Sequence, residues 1–95
     1  MNFNLNYEGF EEHFVSKEEK CHGIQYLFRF DNNYGASVIK SPYSYGGKDD
    51  LWELVVIKWD GDDYELEYDT EVSYDAEGWR DDENIRDLLK QIKEL

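Results

Sequence analysis

The chain has 95 residues, 40% of them hydrophobic and 17% aromatic, and carries a formal net charge of −13 at pH 7. That is enough for a single domain burying roughly 60–65% of its unfolded surface on one core, and too apolar for disorder despite the charge. A field this negative repels phosphate and anionic lipid, and no basic stripe offsets it, which argues against direct nucleic-acid and membrane binding.

Cys21 is the one cysteine and has no internal partner, which fits a reducing compartment rather than a disulfide scaffold. The start, MNFNLNYEGF, shows neither the cationic nor the apolar region of a signal peptide. The longest aliphatic run, Leu54 to Ile57, falls far short of the roughly 20 residues that span a bilayer. The expectation is a soluble, cytoplasmic protein.

Taken in chain order, the first 22 residues give mixed signals. Phe3, Leu5 and Tyr7 alternate as in a strand, whereas Phe10 and Phe14 stand four apart as on a helix, so only a short element is expected there. Ile24, Tyr26, Phe28 and Phe30 share one face of a strand over 24–30, with Gln25, Leu27 and Arg29 on the other. Asp31-Asn32-Asn33 supplies turn chemistry, and Tyr34 to Lys40 returns as the second arm of a hairpin. Gly35 inside that arm points to a bulge, a close backbone approach or a small packing residue. Leu51 to Trp59 is apolar almost throughout and is expected to be a central strand with both faces covered. Asp60-Gly61 signals a tight turn, after which Tyr64, Leu66 and Tyr68 alternate with Glu65, Glu67 and Asp69; this hairpin should bury its rings and expose its acids. From Asp81 the period changes. Ile85, Leu88, Leu89, Ile92 and Leu95 form one helical stripe, Asp81 is a candidate N-cap, and acids lead while lysines trail, as the helix dipole favours. The fold class expected is α+β: an antiparallel meander of about four strands with a C-terminal helix on one face, in a single domain over 1–95.

The run FDNNYGASVIKSPYSYGGKDDLWEL (30–54), followed by Tyr68-Asp69-Thr70, Gly78-Trp79 and the amphipathic helix, resembles a group of small acidic proteins encoded by bacteriophages and prophages. Members share an N-x-Y-G-A-S-V segment, a loop ending near Gly-Gly and a W-E-L strand. The resemblance covers roughly residues 24–95. The group has no assigned activity, so the resemblance implies a phage context in a bacterial host and transfers no site residue. Arg80 and Asp81 depart from the hydrophobic residue and threonine of the group, and the cap survives because Asp serves as well as Thr.

Catalytic and metal chemistry find little support. An EF-hand reading from Asp60 fails because its position 6, which needs glycine, is Glu65. His13, Cys21 and His22 fit no zinc spacing, and only two histidines exist to serve a nucleophile as base. YGGK at 45–48 lacks the first glycine and the hydroxyl residue of a phosphate loop. No enzyme activity, metal or cofactor is expected.

Two surface features remain. The loop Ser41 to Asp50 is long for a hairpin and carries Tyr43 and Tyr45, which are either contact residues or rings folded onto the sheet. Residues 60–83 hold twelve acids against one base, while the rest of the chain has eleven acids and nine bases. On a strand running to Glu71, the carboxylates of Glu65, Glu67, Asp69 and Glu71 would share a face at about 6.8 Å intervals, a sparse copy of a phosphate backbone. With Asp75, Glu77, Asp82 and Glu83 near one end and the two tyrosines as anchors, these residues form the expected binding surface for a basic host or phage protein. The alternatives are a solvated acidic face, or an accessory phage protein that self-associates and uses its acidity for solubility.

Overall fold

Strands β2 (Gly23–Arg29) and β3 (Tyr34–Lys40) form the hairpin expected from their alternation, in a computed structural model that describes residues 1–73 and 75–95. Asn33 takes the left-handed backbone at the turn (φ 68°), and the Asn32 side chain accepts the Tyr34 N–H. The same side chain donates to the carbonyls of Ile92 and Leu95, so this turn also holds the C-terminal end of the helix.

β4 (Trp52–Asp60) pairs with β3 along one edge and is shared along the other, where β5 (Asp63–Leu66) takes Ile57 to Asp60 and β6 (Glu77–Arg80) takes Trp52 and Leu54. With β1 (Phe14–Lys20) on the far side of β2, the sheet is a consecutive antiparallel meander β1 to β5 plus β6. The α+β class stands, but the described residues form six strands rather than about four. β1 escapes the alternation rule because it is an edge strand: Lys17, Glu18, Glu19 and Lys20 are all exposed, as suits an edge guarded against pairing. Its turn is Cys21-His22, both at positive φ (53° and 62°), a tight hairpin made without the usual Asn-Gly signature.

The helix α1 (Asp82–Lys93) starts where expected. Asp81 accepts the Asn84 N–H at 2.7 Å while the Asn84 side chain takes the Asp81 N–H, a reciprocal capping box. Its apolar stripe, Ile85, Leu88, Leu89 and Ile92, is buried against Tyr26, Phe28, Ala36, Val38, Trp52, Leu54 and Val56 on one face of the sheet. Each of the large side chains lost to water there contributes about 1.5–3 kcal/mol.

Residues 2–7 cross the same face as a strap that ends in a turn at 7–10, where the Phe10 N–H donates to the Tyr7 carbonyl. Of the two patterns open there, the burial of Leu5 and half-burial of Phe3 and Tyr7 follow the strand-like one, but the strap has no strand partner and is held by side chains. Tyr26 Oη donates to the Phe3 carbonyl and accepts the Leu5 N–H. At its start, the Lys40 ammonium, 3% exposed, reaches the Asn2 carbonyl (2.7 Å), Asp50 (3.0 Å) and the face of Trp52.

The opposite face carries neither helix nor strap. There Leu27, Ile57 and Trp59 form a separate buried cluster, with Tyr64 against it. The Trp59 indole spans β3 and donates to the Phe28 carbonyl on β2 at 2.9 Å, with Arg29 above its ring. Gly35 is what permits this: a Cβ there would collide with the Phe28 carbonyl oxygen and stand 2.5 Å from Trp59 Nε1. Of the readings open for this glycine, the close approach is the one observed.

Two outcomes are expected. Gly35→Ala should destabilise the protein by at least about 2 kcal/mol in urea denaturation, because the indole must be displaced; a change below about 0.5 kcal/mol would contradict the packing. The Asn2 N–H, and after it the Lys40 ammonium, hold the Asp50 carboxyl below its ordinary pKa. A depressed folded-state pKa adds stability above the unfolded value of about 3.9, and that stability is lost as pH falls through the folded value. Wild type should therefore melt above Asp50→Asn near neutrality, with the gap closing below about pH 4; a gap that persists in strong acid would refute the ion pair's part in holding the strap.

Candidate protein-binding surface

The acidic segment begins on the sheet and leaves it early. β5 stops at Leu66, and the Glu67 N–H makes one further bond, to the Val56 carbonyl. It cannot continue because the next stretch of the β4 edge, at Leu54, is occupied by Glu77 of β6. A strand running to Glu71 is thus replaced by a loop, folded on Thr70, whose hydroxyl accepts the N–H groups of Val72 and Ser73. Leu66 and Tyr68, expected inside, are 52% and 45% exposed, since the sheet face they would cover has ended.

Glu65 therefore stands on the strand, opposite Lys58, whose ammonium lies instead over the Tyr34 ring at 4.5 Å. Glu67 is half-buried, with the Asp69 N–H 3.4 Å from its carboxylate. Asp69 and Glu71 are exposed in the loop, as are Asp75 beyond it and Glu83 in the first turn of α1. Among the described residues none of these six acids forms an ion pair; in the segment 60–83 only Glu77 does, with Arg80 at 3.2 Å. Asp82 has a structural task, accepting the Trp52 indole N–H (2.7 Å) and the Asn6 N–H (3.0 Å), so it ties helix, sheet and strap together.

The loop between β3 and β4 displays its rings. Tyr43 is 76% and Tyr45 59% exposed, so neither folds onto the sheet. The loop itself is ordered by its own bonds. Ser44 Oγ accepts the Ser41 N–H and donates to the Ser41 carbonyl, and residues 47–49 make one turn of 3₁₀ helix. Its end is fixed by Asp50 and Lys40.

Sequence reasoning missed the residue that completes this surface. Trp79 is 57% exposed and packs face to face with Tyr45, ring centroids 5.7 Å apart and 26° from parallel. It lies where β6 slips register against β4, in left-handed backbone (φ 53°), a conformation that costs a bulky residue roughly 1–3 kcal/mol. The two segments approach closely through glycine: a Cβ on Gly46 would lie 2.8 Å from Trp79 Cα, and one on Gly78 would collide with Tyr45 Cβ. The Trp79 N–H donates to the Tyr45 carbonyl, and the Tyr45 N–H to Glu53. A tryptophan inside a run of acids was the available signal, though only the tertiary contact with the 41–50 loop reveals the pair.

The remaining candidates stay apart. His13 is buried against the Phe30 ring (4.8 Å), and its Nε2 makes no aligned hydrogen bond although Glu12 lies 3.3 Å away. Cys21 and His22 occupy an exposed turn. Among the described residues no group of three His, Cys, Asp or Glu is placed to hold a metal ion, and no helix is long and apolar enough to cross a membrane. No protein-family model, no curated protein and no solved structure matches this chain.

Proposed function

We propose that the chain is a non-enzymatic interaction protein that docks a basic protein of a bacterial host or of a phage. The observation that carries this reading is the absence of ion pairs from the acids of 60–83: among the described residues eleven of the twelve have no lysine or arginine partner. Carboxylates this dense in sequence and without counter-charges repel, and the repulsion is screened only over about 8 Å at physiological salt. A cationic partner removes that repulsion on binding, so the same charges that weaken the free fold favour the complex. Imitation of a nucleic-acid backbone is the narrower form of the idea. It gains less support, because the regular spacing of a strand ends at Leu66 and the acids beyond lie on an irregular loop.

A second reading is favoured by a different observation. Tyr43, Tyr45, Leu66, Tyr68 and Trp79 are large apolar side chains left largely in water, and a self-associating accessory protein would cover them.

Affinity capture from host lysate, eluted with a salt gradient, tests the first reading. A specific partner should elute steeply between low and moderate salt, and the quadruple variant E65Q/E67Q/D69N/E71Q should lose it. A partner retained equally by the variant and insensitive to salt would end the charge-based account. Size-exclusion chromatography separates the second reading, since a hydrophobic oligomer persists as salt is raised.

A further inference from the structure

The Tyr45 and Trp79 rings make an exposed aromatic platform that is built rather than incidental. Two glycines bring the segments together, the Tyr45 backbone N–H donates to the Glu53 carboxylate and its carbonyl accepts the Trp79 backbone N–H, and the tryptophan is held in strained backbone with most of its surface in water. Burying the indole would relieve the hydrophobic exposure, yet the fold presents it outward. Large rigid rings presented in this way are the usual anchors of protein interfaces.

The surroundings select the occupant. Trp79 follows Gly78 in the acidic segment, the adjacent Arg80 is paired with Glu77, and the Glu53 carboxylate lies at the platform, where it accepts the Tyr45 N–H. Asp49 lines the hollow beside the platform, and Lys48 is the one cation that does so. A second copy of this chain is a poor occupant, because docking two molecules of net charge −13 adds repulsion. A guanidinium group suits both features: its plane stacks on an indole or phenol face, its charge is attracted by the ring quadrupole, and its N–H fork reaches neighbouring carboxylates.

We infer that the Tyr45–Trp79 platform is the docking point for an arginine side chain of the basic partner. The inference rests on the interaction reading above and names the anchor that reading leaves open. Long-range attraction comes from the acidic segment, and the platform supplies the short-range discrimination of arginine over lysine.

The test uses the full chain and two synthetic peptides, (Arg-Gly)₄ and (Lys-Gly)₄, at low salt. Trp52 and Trp59 are buried (0% and 7% exposed), so a change in tryptophan emission on binding reports chiefly on Trp79. The arginine peptide should change that emission and bind more tightly than the lysine peptide. Trp79→Gly should weaken its binding about 10-fold, and Trp79→Phe, which keeps a ring, should restore most of it. Glycine adopts the φ of position 79 without strain, so the variant should keep its fold, which its melting curve checks. Equal affinity of wild type and Trp79→Gly for the arginine peptide, with unchanged wild-type emission, would overturn the platform and leave the charge-based reading standing. Failure of wild type to bind either peptide would overturn both.

Discussion

The two tryptophans of β4 hold the structure together from opposite faces of the sheet, and the rest depends on their indole hydrogen bonds. Trp52, fully buried, donates to Asp82 at the start of the helix, and Asp82 also takes the Asn6 N–H of the strap. Trp59 crosses β3 to reach β2, which closes the face that has no helix above it. A buried indole N–H left unpaired costs about 1–3 kcal/mol, so each bond fixes ring orientation as well as adding cohesion. Since β4 also lends its outer edge to both β5 and β6, its position decides where the acidic segment must leave the sheet and where Trp79 emerges.

That division of the β4 edge links architecture to surface chemistry. β5 is forced off the sheet after Leu66, so Asp69 and Glu71 on the loop, and Asp75 beyond it, are exposed to water and keep their hydration. β6 holds the rest of that edge with slipped register, and at the slip Trp79 stacks on Tyr45. Charge and aromatic surface arise from the same constraint, although one looks compositional and the other conformational. The only cations committed to ion pairs with carboxylates among the described residues, Lys40 at Asp50 and Arg80 at Glu77, hold structural elements rather than neutralise the acidic loop.

Much of the fold was legible because it rests on short-range rules. The β2–β3 hairpin, β4 and the helix with its Asp81 cap follow from alternation, turn residues and helical period, and each spans a segment whose neighbours in sequence are also its neighbours in space. What escaped was set by distant contacts. β1 exposes most of its side chains and turns through Cys21-His22, so neither pattern nor turn chemistry marks it. β6 is a short strand whose register is fixed by β4. The acidic alternation after Asp60 looked like a long strand because alternation carries no information about whether a partner edge is free; here that edge was taken by a segment some ten residues further on. The candidate surface was legible to the same degree. Its acids could be counted and Tyr43 and Tyr45 suspected, but Asp82 proved to be a structural tie, and Trp79 needed the contact with Tyr45 to be noticed.

The central claim, that two tryptophans are locked by indole hydrogen bonds while the third is presented to solvent, is tested most directly by hydrogen exchange of the three indole N–H groups in solution. Two resonances, from Trp52 and Trp59, should exchange slowly and broaden little with a soluble paramagnetic agent, while the Trp79 resonance exchanges fast and is strongly broadened. Three equally protected indoles, or three equally fast ones, would contradict both the packing and the surface built on it.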